Sequence, residues 1–209
     1  GALQEGNWFY LDDVYIEDLP ACSEPSYPVV TPGSITSTSA TISWTNGYNN
    51  TQWQLVAQPL GTGVPTFPSA PGAVVNIVNT NPYTITGLNP STQYEFYMRA
   101  YCSPTVQSIW VGPFNVQTNI AVICGTPVNT TYCYTDNDST SWTFTSNDGS
   151  PLRVTFNAGQ VENSYDEFQV YDGADATATQ LYSGYGSSGD LTGLTFTSSG
   201  PELFVRITP

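Results

Sequence analysis

Glu162 and Asp166 are the residues of this chain whose type and spacing most invite chemistry. They stand four positions apart in Val-Glu-Asn-Ser-Tyr-Asp-Glu-Phe-Gln-Val-Tyr-Asp-Gly, residues 161–173. Two carboxylates at the mouth of a strand suit a hard, oxygen-seeking cation such as calcium. Calcium takes at least about six oxygens, so backbone carbonyls, water and a third acid would have to complete the set. The plainer alternative is a pair of solvated loop acids, with Glu167 and Asp172 as ordinary neighbours.

The residue types that are missing narrow the chemistry further. Arg99, Arg153 and Arg206 are the three basic residues, there is no lysine or histidine, and 17 acids bring the net charge to −14. Without histidine there is no Ser-His or Cys-His pair and no His-ligated zinc. Without lysine there is no Schiff base and no phosphate-loop lysine. Carboxylate chemistry of the glycosidase kind is the main catalysis left open, and the chain is read as non-catalytic. Such an acidic surface repels phosphate backbones and anionic lipid, which argues against nucleic acid and membrane-surface partners. No apolar run approaches the roughly 20 residues that span a bilayer, so no direct membrane insertion is expected.

The elements that must position these acids read as strands and turns throughout. Short β-rich runs recur between Gly, Pro, Asn and Ser clusters, the pattern of a β-sandwich, and the 209 residues are enough for two modules of about 100 each. Residues 7–16 form one strong strand that cannot hold itself together alone. Asp12 and Asp13 within it read as surface turn acids. The chain opens mid-pattern at Gly1-Ala2-Leu3-Gln4, which suggests a piece of a larger polypeptide. Residues 35–44 read as two short strands about a Thr-Ser turn. Further strands are expected over 52–56, 74–78, 83–85, 94–100, 140–144, 152–156, 168–171 and 203–207. Residues 119–123 read as a short link, too apolar to be a floppy spacer. The four cysteines, at 22, 102, 124 and 133, allow three full pairings and no zinc knuckle. Their even number in a chain rich in Thr, Ser and Asn points to an oxidising, extracytoplasmic setting.

Leu88, Pro90, Thr92 and Tyr94 lie in Leu-Asn-Pro-Ser-Thr-Gln-Tyr, a proline-centred turn leading into a strand whose first large residue is tyrosine. A tyrosine there can hydrogen-bond back to the turn and pin two sheets together. These residues resemble the tyrosine corner of fibronectin type III domains, and Trp44 is similar to the core tryptophan of their second strand. The resemblance covers about residues 22–118. It implies core roles for Trp44, Trp53, Leu88 and Tyr94, leaves Trp110 as a residue that can sit exposed, and in a bacterial subset implies a stapling Cys22–Cys102 disulfide.

The second half resembles a CUB domain. An early cysteine pair, the strand at 152–156, Glu162, Tyr165-Asp166 and the strand closing in Tyr171-Asp172-Gly173 follow the order of that family. The resemblance implies a Cys124–Cys133 disulfide and calcium held by Glu162 and Asp166, with Tyr165 at the contact surface and a third ligand beyond Pro209.

The fold class expected is therefore all-β: a terminal strand at 1–19 from a preceding jelly-roll-like domain, a fibronectin III-like sandwich at 20–119, and a CUB-like jelly-roll sandwich at 120–209, incomplete at its C-terminus. The combination resembles exported adhesins and enzymes of Bacteroidota, for which type IX secretion is implied. The function expected is a binding and spacer region of a secreted or cell-surface protein. Its partners would be a protein or glycan on a cell surface or matrix, together with the rest of its own polypeptide. The alternative is a set of accessory modules of a secreted hydrolase whose catalytic domain lies outside this chain.

Overall fold

A computed structural model describes residues 20–209. The strand expected at 7–16, with Asp12 and Asp13, lies outside the described residues. Everything regular in the described part is strand, and two separate hydrophobic clusters organise it.

Eight strands surround the first cluster: β1 (Ser26–Val30), β2 (Ser39–Thr45), β3 (Trp53–Pro59), β4 (Val74–Val78), β5 (Tyr83–Thr86), β6 (Gln93–Ser103), β7 (Val106–Gln107) and β8 (Val111–Gln117). One sheet runs β1-β2-β5, and the facing sheet runs β4-β3-β6-β7 with β8 also on β6. Alternation in β2 turns Ala40, Ile42 and Trp44 inward, and β6 adds Tyr94, Phe96, Met98 and Ala100. Trp44 meets Trp53 edge to face at 5.2 Å, a geometry that suits two aromatic quadrupoles. The turn before β6 is closed by Tyr94, 1 % exposed, whose hydroxyl oxygen accepts the Asn89 amide at 2.8 Å. Leu88 is buried under that corner and Pro90 faces solvent. Cys22 and Cys102 form a disulfide with Cα atoms 5.9 Å apart, across 80 residues of sequence.

Two details differ from the sequence reading, and β3 adds a third feature. Only residues 39–44 of the 35–44 stretch are strand, because Thr36 and Ser39 hydrogen-bond to each other through both hydroxyls and backbone and close a turn there. Trp110 is half-buried, with the Arg99 guanidinium 4.3 Å from its ring centre. In β3 the two polar positions, Gln54 and Gln58, are as buried as the apolar ones. Residues 60–73 cover them: buried Glu95 accepts the amides of Gly61 and Gly63 and the Gln58 side chain, while Phe67 lies over Arg99. A carboxylate with three donors can stay buried, because each lone pair replaces a lost water.

The second cluster is enclosed by β9 (Ile120–Val122), β10 (Ser141–Ser146), β11 (Arg153–Thr155), β12 (Glu167–Asp172), β13 (Thr179–Gly184), β14 (Thr195–Thr197) and β15 (Glu202–Thr208). Their sheet order is β13-β12-β15-β10-β9, with β11-β14 as a separate pair. Leu152, Val161, Phe168, Val170, Leu191, Leu203, Val205 and Ile207 form the buried core. The stretch expected as a link, 119–123, contains a strand: β9 pairs parallel with β10. Asn119 ties the junction, its side-chain amide donating to Ile35 O at 2.8 Å and to Thr145 Oγ1 at 2.9 Å. A cleft of about 590 Å³ lies at this junction, lined by Ile35, Gln93, Asn119, Trp142 and Asp175 among others.

The cysteine pair expected at 124 and 133 is not formed; both are free and exposed. The backbone holds them in different places. Gly125, at φ +76°, turns the chain immediately after Cys124, whose amide is bound by Asn147 Oδ1. Cys133 follows Tyr132, which is fixed by Asp138, Thr140 and the Trp142 ring.

Charge is distributed as unevenly as structure. From Pro25 to Tyr94 the sequence has no charged side chain. Six carboxylates around the second cluster are held below their ordinary range, mainly by serine and threonine partners: Asp138, Asp148, Glu167, Asp172, Asp175 and Asp190. Asp138 is lowered to about 2 by hydrogen bonds from Thr140 and Tyr132. Glu202 is shifted the other way, first by burial and then by Asp175. A carboxylate depressed in the fold stabilises it above its unfolded pKa, and that stability is lost as pH falls toward the folded value. Glu202 opposes this with a contribution present at low pH and lost as pH rises. On acidification from the ordinary carboxylate range near about 4 toward about 2, residues 120–209 are expected to lose structure while 25–117 persist. Two-dimensional NMR through that titration checks it, and simultaneous loss of both sets of resonances counts against it.

Candidate functional site

The loop between Val161 and β12 is fixed at both ends by the second core. Val161 and Phe168 are 8 % and 7 % exposed, and the Phe168 ring stands edge to face on Phe156 at 4.7 Å. Val161 is also held by its amide to Gly189 O at 2.9 Å. A side chain at Gly189 would collide with the Val161 carbonyl, its Cβ falling 2.5 Å from Val161 O, so the close approach requires glycine.

Between these anchors the chain makes one tight turn. The Glu162 carbonyl accepts the amides of Tyr165 at 3.3 Å and Asp166 at 3.1 Å. Ser164 takes a left-handed φ of +72° to close it. The turn leaves Glu162 exposed, lifts Tyr165 to 73 % exposure and turns Asp166 inward to 6 %.

Tyr134 completes the cluster. Its hydroxyl oxygen accepts the Glu162 amide at 2.6 Å. Burial raises the Tyr134 phenol, the Glu162 amide lowers it, and the neighbouring Asp166 carboxylate raises it again. The sequence reading did not single out Tyr134. It lies 28 positions before Glu162, and its one local signal is the aromatic run Tyr132-Cys133-Tyr134.

The structure therefore brings Glu162, Tyr165 and Asp166 together on one turn, with Tyr134 beneath. It does not bring a third acid to them: among the described residues no group of three or more His, Cys, Asp or Glu is placed to hold a metal ion. Two carboxylates alone are fewer ligands than calcium takes. Among the described residues no helix is long and apolar enough to cross a membrane.

Comparison with known proteins bears on the first strand set. Residues 23–109 match the fibronectin type III domain family. β8, which lies beyond that match, extends the sheet by pairing with β6. Among solved structures the chain is similar to the FN5 domain of Drosophila Lar, at 24 % identity and a TM-score of 0.38, over 47 % of this chain and 97 % of that one. It is also similar to a myokine structure, at 19 % identity and a TM-score of 0.36, over 47 % and 98 %. A third is the fn3 domain of the human collagen alpha-1(XX) chain, at 14 % identity and a TM-score of 0.38, over 56 % and 97 %. No curated protein matches the chain.

Proposed function

Residues 23–109 being a fibronectin type III domain, we propose that the chain is a non-catalytic binding and spacer region of a larger secreted or cell-surface protein. Fibronectin type III domains are commonly modules of this kind, and the Cys22–Cys102 disulfide fits an oxidising compartment. In this reading residues 20–119 and 120–209 are two modules, and the Asn119 amide and the β9–β10 pairing stiffen the joint between them. Recognition belongs to the Tyr134–Glu162–Tyr165–Asp166 turn.

One observation carries the binding assignment. Tyr165 is a large amphipathic side chain at 73 % exposure, on a turn whose two ends are buried and whose next residue is a buried carboxylate. An exposed aromatic on the same turn as the exposed Glu162 carboxylate offers contact area and a charge for a basic or hydroxyl group on a protein or glycan. Truncating Tyr165 should remove retention on the partner surface without changing the melting temperature.

Calcium belongs to the same proposal as a stiffening ligand. Glu162 and Asp166 would supply two ligands, with a third acid following Pro209. The register that sets Glu167 opposite Thr208 carries the end of β15 toward Asp166, which favours that placement. Appending Asp after Pro209 tests it. At a hundredfold excess of calcium over Kd the folded state gains about 2.7 kcal/mol, which is several degrees of melting temperature. Glu162→Gln and Asp166→Asn should each remove that shift, and no shift against chelator in the extended chain would reject calcium.

A further inference from the structure

Sheet edges are where a β-sandwich must avoid pairing with other chains, and they do so with charge, proline, bulges or brevity. Most edges of the first sandwich carry such a device. β1 has a bulge between Ser26 and Val29, with Pro28 and a left-handed Tyr27 at φ +50°. β8 carries Pro113 and faces a bulge between Phe96 and Met98. β7 is two residues long, and β5 has four, showing Thr84 and Thr86 to solvent.

β4 has none of these. It is Val-Val-Asn-Ile-Val, among the described residues it ends the order β4-β3-β6-β7, and it pairs with β3 without a break from Trp53↔Val78 to Ala57↔Val74. Its outward side chains are Val75, 36 % exposed, and Ile77, 51 % exposed.

We propose that β4 is a self-association edge, pairing antiparallel with β4 of a second copy of this chain about a two-fold axis through Asn76. The occupant follows from sequence symmetry and charge. Read in either direction from Asn76, the strand presents an apolar residue at each position. In that register Val75 meets Ile77 of the second copy, Ile77 meets Val75, and Val74 meets Val78. Both exposed aliphatics are then covered by cross-strand partners. A net charge of −14 keeps copies apart elsewhere, but β4 sits inside the charge-free stretch from Pro25 to Tyr94. Neither β4 nor its paired neighbour β3 carries a charged side chain, so the edge itself offers nothing to a charged partner and nothing to repel an identical edge. Five-residue strands bury little area, so the dimer is weak and transient.

Sedimentation of the 209-residue chain up to about 1 mM tests this, with two double variants of the exposed residues. Val75→Lys/Ile77→Lys sets like charges opposite each other across the axis and should weaken association about tenfold or more. Val75→Lys/Ile77→Glu sets opposite charges there and should restore association to within about threefold of the parent. Native melting temperatures in both variants show that the fold is intact. A parent that stays monomeric throughout overturns the proposal, even if it captures an added foreign strand. So do two double variants that associate equally, since a patch without this register would not distinguish them.

Discussion

Replacing Cys22 and Cys102 together by serine lowers the stability of the first sandwich by about 4–5 kcal/mol on the chain-entropy account of a cross-link closing a loop of this length. The bridge spans 80 residues, from the entrance before β1 to the end of β6, so nearly the whole sandwich lies inside the closed loop. Reduced and unfolded, that segment regains the conformations the bridge forbids. Such a loss is comparable with the entire stability of a small domain, and the first calorimetric transition should fall out of the normal range. The matching change at Cys124 and Cys133, both free and exposed, should leave melting unaltered. Equal effects from the two pairs would contradict the bridging pattern described.

Phe168→Ala has the second large effect, about 3–5 kcal/mol for a buried aromatic truncated to a methyl. Phe168 packs on Phe156 and stands two residues after Asp166, so its loss opens a cavity and frees one anchor of the site turn. Since the two hydrophobic clusters share no residue, the cost should fall on the transition of residues 120–209. The transition assigned to 20–119 should move little. Differential scanning calorimetry separates the two. One merged transition shifting as a whole would argue against two modules.

How much of this was legible in the sequence depends on how local the cause was. β2, β6, β12 and β15 alternate apolar and polar residues over long enough runs to be read directly. The Leu-Asn-Pro-Ser-Thr-Gln-Tyr corner carries its own turn chemistry. β9 and β14, three residues each, are too short to show a period, and they exist because neighbours present edges to them. In β3, Gln54 and Gln58 share one face with Val56. That face is dry through Glu95, which lies in β6 and captures the backbone of residues 60–73, a contact that no window of sequence contains. The site divides the same way. Glu162, Tyr165 and Asp166 are local to one turn, and their spacing alone groups them. Tyr134 arrives from another part of the chain, and the Cys124–Cys133 pair fails because its two ends are tied to different neighbours.

Retention of the chain on surfaces coated with extracellular-matrix proteins or with neutral and acidic glycans tests the central claim most directly, comparing the parent with Tyr165→Ala. Tyr165 is exposed, so its truncation should leave melting unchanged. The account expects at least one surface to retain the parent and to lose about tenfold or more in affinity for Tyr165→Ala, the scale of a binding hot spot. Equal retention of the two on every surface that binds the parent would contradict recognition through this turn, and no retention on any of them would contradict the binding function.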